Sequence, residues 1–93
     1  MKKILFIILF FVSQFSIAQS YNSTNVNAKA IKLYEAALVK LEDGDTKNAV
    51  TLLKQCIQTD DNYVDAFLSL AGAYGELKDY YNAALTYEIA KKK

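Results

Sequence analysis

From residue 28 onward, apolar residues recur at three- and four-residue steps, broken three times by short polar stretches. Ile31, Leu33, Tyr34, Ala37, Leu38 and Leu41 fall on this spacing and predict a helix over Ala28 to Glu42. Ala49, Val50, Leu52, Leu53, Cys56 and Ile57 predict a second helix from Thr46 to Thr59. A third is predicted from Tyr63 or Val64 to Leu77, and a fourth from Tyr80 to about Lys91. Alanine is frequent and proline absent, as helix propensity favours. Asp43-Gly44-Asp45 breaks the first helix: Gly44 is suited to the left-handed conformation that closes a helix, and Asp45 to capping the next. Asp79 repeats the role of Asp45, and Asp60-Asp61-Asn62 forms the middle turn. Asn25 or Asn27 is placed to cap the first helix.

The pattern is written twice, 34 residues apart. Ala37/Ala71, Glu42/Glu76, Asp45/Asp79, Asn48/Asn82 and Ala49/Ala83 are identical across the shift. A period of that length with helical spacing inside each copy predicts an all-α fold of two stacked helix-turn-helix hairpins, about 30–61 and 64–93. Such units bury their apolar faces against one another and leave a surface for partners, which points to binding rather than catalysis.

The residues before the first helix read differently. Met1-Lys2-Lys3 is basic, Ile4 to Val12 is an unbroken apolar run, and Ser16-Ile17-Ala18 ends small-x-small. This is the layout of a secretory signal peptide over 1–18, with cleavage expected after Ala18. The apolar run is shorter than the roughly 20 residues a membrane span needs. Residues 19–27 are polar and are expected to form a flexible leader. An exported chain, in the periplasm or cell envelope of a bacterium, is the expected localisation.

Cleavage would leave 75 residues, one small domain with nine lysines against ten acids. No basic field is present to hold nucleic acid, and no arginine supplies the bidentate fork for phosphate or base edges. Cys56 is the only cysteine and excludes an internal disulfide; it is expected to fill space in the core. Lys91-Lys92-Lys93 suits the negative end of the last helix, with a basic tail for an acidic partner as the other reading.

The case for an enzyme is poor. The chain has no histidine, the commonest general base and metal ligand. Asp43, Asp45, Asp60 and Asp61 sit at turns as capping residues and lack the spacing of a calcium loop. Ser23 and Ser69 have no histidine partner. No cofactor or metal is expected.

The second copy resembles the tetratricopeptide repeat. Phe67, Leu70 and Tyr74 stand for the large aromatic, leucine and tyrosine of its first helix, and Ala71 for its glycine. Ala83 and Tyr87 stand for the alanine and aromatic of its second. The first copy is weaker: Leu33, Ala49 and Leu53 fit, while Ala36 and Lys40 stand where leucine and tyrosine are expected. Small residues at Ala37, Ala49, Ala71 and Ala83 should let paired helices approach closely.

The resemblance implies a non-enzymatic adaptor or scaffold that binds a partner segment on a concave face lined by the first helix of each pair. That places a partner-binding groove at Ile31, Tyr34, Leu38, Leu41 and Glu42, then Asp65, Leu68, Gly72, Gly75 and Glu76. The family's Lys/Asn clamp for a peptide carboxylate is missing, because Tyr34 and Leu38 occupy the matching positions.

Repeat arrays usually need three or more units and a polar cap. Two units ending inside a helix imply either a homodimer or further repeats, in a longer protein of which this is the N-terminal part. A signal peptide followed by such repeats also resembles the start of exported Bacteroidetes envelope proteins. Those carry an OmpA-like peptidoglycan-binding domain downstream. In that setting the hairpins would be a structural packing module with no ligand of their own.

Overall fold

The computed structural model describes residues 26–93; the signal-peptide segment and most of the expected leader lie outside the described residues. Four helices follow in order: α1 (Ala28–Glu42), α2 (Thr46–Thr59), α3 (Val64–Glu76) and α4 (Tyr80–Lys91). No strand occurs among the described residues. The third helix stops one residue short of the sequence expectation, with Leu77 as its C-cap.

Each helix pairs with its neighbour in sequence: α1 with α2, α3 with α4, and α2 with α3 across the middle turn. The result is two stacked helical hairpins. The core lies between them. Ala30 and Ala37 of α1, Val50, Leu53 and Cys56 of α2, and Ala66, Leu70 and Ala73 of α3 form one buried cluster. Leu33, Leu41, Ile57, Tyr63 and Tyr74 pack around it, half-buried. Small residues on α1 and α3 allow close approach, and the larger Leu53 and Leu70 fill the space that remains.

The turn between the helices of each hairpin shows how the repeated residues act. In the first turn Gly44 N–H donates to Leu41 O at 3.1 Å and Asp45 N–H to Lys40 O at 2.8 Å. In the second, Lys78 N–H donates to Gly75 O at 3.0 Å and Asp79 N–H to Tyr74 O at 2.9 Å. This is the Schellman closure, which satisfies the last carbonyls of a helix. The residue that closes the first helix is also the cap of the second. Asp45 accepts from Asn48 N–H at 3.4 Å and from Asn48 Nδ2 at 2.7 Å; Asp79 accepts from Asn82 N–H at 3.3 Å and Nδ2 at 2.7 Å. Two positions of the repeat thus reproduce a complete turn.

The start of α1 is capped by Asn27, whose Oδ1 accepts from Lys29 N–H at 2.8 Å and Ala30 N–H at 3.4 Å. Asn27 N–H itself donates to Asp60 Oδ2 at 2.8 Å, tying the first helix to the turn between the hairpins. Val26, in the expected leader, packs against the core. The leader's last two residues are therefore part of the fold.

Candidate functional site

Ten groove positions were expected on α1 and α3, and they fall into separate settings. Tyr34 turns inward. Its ring lies 5.0 Å from that of Tyr63, its hydroxyl is 3.1 Å from Ser69 Oγ, and it packs on the core. Burial pushes the neighbouring Tyr63 hydroxyl up to about 12, with Tyr34 the next contributor. Leu41 also packs on the core, and Ile31 is half-buried. Leu38 and Leu68 are exposed, at 36% and 43%. Glu42, Asp65 and Glu76 are exposed as well, and Glu76 Oε2 accepts from Thr46 Oγ1 at the start of α2, at 3.0 Å. Gly75 is half-buried. Asp65 lines a small polar cleft of about 310 Å³ with Val26, Asn62, Tyr63 and Val64.

Leu68 and Gly72 belong to a different feature. With Ala71 of α3 and Ala83, Ala84 and Tyr87 of α4 they line an apolar slot of about 370 Å³. Ala83 is half-buried here, whereas its counterpart Ala49 is fully buried. Nothing in the described chain covers the slot side of α4 as α3 covers α2.

Sequence reasoning missed the rest of α4. Tyr80, Tyr81, Leu85, Tyr87 and Ile89 are all exposed large apolar or aromatic residues. The signal was present, because α4 is apolar on more than one side. A helix of that kind is normally covered on more than one side. The repeat resemblance placed the groove on the first helix of each hairpin and gave Tyr87 only as the aromatic of the second.

Cys56 lies where the sequence placed it. It has no solvent exposure, and its thiol donates to Ala30 O at 3.2 Å. Burial, and secondarily the charge of Asp60, pushes the thiol up to about 11, so it stays protonated and unreactive at neutral pH. At the C-terminal end Lys91 Nζ pairs with Glu88 at 3.4 Å, and Lys93 Nζ sits 5.4 Å from the centre of the Phe67 ring. No helix among the described residues is long and apolar enough to cross a membrane.

Compared with known protein families, with curated proteins and with solved structures, the chain matches none.

Proposed function

We propose that the chain is a non-enzymatic protein–protein interaction module of the bacterial cell envelope. In this reading it is a pair of tetratricopeptide-like hairpins acting as an exported adaptor or scaffold. The partner segment lies along the first helices of the hairpins. One observation carries the reading: Leu38 and Leu68 are exposed apolar side chains on α1 and α3, and exposed Glu42, Asp65 and Glu76 lie on the same two helices. A segment with apolar anchors and basic flanks matches that combination.

The test is photo-crosslinking in the cell from a reactive residue at Leu38, with Lys47 on α2 as the control position. The expected result is one discrete envelope polypeptide joined at Leu38 and absent at Lys47. Its yield should fall in a Glu42→Lys variant. Equal labelling at both positions, or none at Leu38, overturns the reading.

A second reading is favoured by the exposed aromatics of α4. The hairpins would then be a packing module at the N-terminal side of a larger exported OmpA-like envelope protein. In that case the Leu38 crosslink is intramolecular or missing.

A further inference from the structure

The slot on the second hairpin has a counterpart on the first. Moving Leu68, Ala71, Gly72, Ala83, Ala84 and Tyr87 back by 34 gives Tyr34, Ala37, Leu38, Ala49, Val50 and Leu53. On the first hairpin most of that surface is covered. Ala37, Ala49 and Leu53 have no exposure and Val50 has 8%, and Ala37, Val50 and Leu53 pack in one cluster with Ala66, Leu70 and Ala73 of α3. On the second hairpin Tyr87, the counterpart of Leu53, is 55% exposed. The slot is therefore the seat that a helix occupies one repeat earlier.

The slot differs from its covered counterpart in shape. Gly72 and Ala84 stand where Leu38 and Val50 stand on the first hairpin, so the floor is lower and the occupant must be bulkier than the alanine-lined face of α3. Space is open beyond Gly72: a Cβ there would meet nothing within 4 Å. One helix of this chain has the bulk required. Tyr80, Ala84 and Tyr87 lie at i, i+4 and i+7 on α4, which puts them on one face, and the two tyrosines are 67% and 55% exposed. The charges of α4, Glu88 and Lys91, pair with each other and oppose no approach by a like surface.

We propose that this face is a two-fold dimer interface, with α4 of a second copy seated in the slot and its tyrosines over Gly72 and Ala84. A head-to-tail stack is disfavoured by charge. The α1 residues that correspond to Ala66, Leu70, Ala73 and Tyr74 are Lys32, Ala36, Val39 and Lys40. Seating α1 in the slot would press two lysines against apolar surface with no acid lining it. A self-complementary contact closes as a dimer instead of growing as a filament. The slot shares Leu68 with the partner reading, but the two are tested apart, because the partner test uses Leu38 on α1 and the dimer test uses Gly72 and Ala84.

The experiment measures the mass of the full chain, expressed with its own N-terminus, by sedimentation equilibrium over a wide concentration range. The native chain should tend to twice the protomer mass. Gly72→Glu should tend to the protomer mass while keeping its helical circular dichroism. Its melting temperature, at a concentration where the native chain is also monomeric, should be unchanged or raised, since the added side chain meets nothing and glutamate is the better helix former. Ala84→Cys should crosslink to itself on oxidation and Val39→Cys should not. A native chain monomeric throughout, a dimeric Gly72→Glu, ready crosslinking through Val39, or a different polypeptide filling the slot without self-association each overturns the proposal.

Discussion

Gly44 and Lys78 occupy the same place in the two inter-helix turns, 34 residues apart, and both are left-handed, at φ 80° and 63°. The closure of each turn requires that conformation. Glycine adopts it without a steric penalty, while a lysine Cβ crowds the backbone. Lys78→Gly should therefore stabilise the protein by about 1 kcal/mol, and Gly44→Ala should destabilise it by about 1–2 kcal/mol. No atom lies within 4 Å of a Cβ at Gly44, so the second effect isolates backbone strain from packing. Urea melts of both variants check the pair; no gain from Lys78→Gly together with no loss from Gly44→Ala would remove the conformational explanation.

Tyr34 joins the two hairpins through Ser69 and Tyr63. Tyr34→Phe keeps the ring contact and removes the hydroxyl, and should cost about 0.5–1.5 kcal/mol. Ser69→Ala should cost a similar amount, and the double variant little more than either alone. Additive losses in the double-mutant cycle would show that the two hydroxyls act separately.

Asp60 accepts from Asn27 N–H at 2.8 Å and from Asn62 N–H at 3.0 Å, and these bonds, Asn27 first, hold its carboxyl below the usual carboxylate range. A depressed carboxyl contributes stability above its unfolded titration range and loses it as pH falls through the folded value. Stability should thus decline below about pH 4, and Asp60→Asn should flatten part of that decline. Asp45, lowered first by its Asn48 bond, contributes in the same direction. Chemical denaturation at a series of acid pH values reads both effects; an Asp60→Asn profile parallel to the native one would refute the assignment.

Cys56 gives the alkaline counterpart. Its thiol is raised to about 11, so the unfolded thiol ionises first. The stability from the neutral buried thiol is complete below about pH 8.5 and is lost as pH rises through the folded value. Thiol reagents should label Cys56 only on unfolding, at a rate that follows denaturant. Prompt labelling of the native chain at neutral pH would contradict the burial.

Most of the helical framework was legible along the chain because its determinants are local. Apolar spacing marks each helix, and Asp45 and Asp79 cap their helices with the two residues that follow at fixed distance. The 34-residue repeat then predicts that hairpins stack. The turn at Lys78 was legible, but its left-handed backbone was not although its counterpart is Gly44, since a lysine carries no signal for that conformation. The candidate site was less legible. Ile31, Tyr34, Leu38 and Leu41 share a spacing, yet Tyr34 and Leu41 pack on the core while Leu38 stays exposed. Period alone does not say which neighbour each side chain meets. In the same way, Leu53 and Tyr87 hold equivalent places in sequence, and only the presence of α3 over one and its lack over the other makes the first fully buried and the second 55% exposed. The sequence by itself determined the helices, their caps and their pairing, which follow from interactions among residues close along the chain. Tertiary structure alone decided which apolar faces are covered, because burial depends on what is brought across from elsewhere in space.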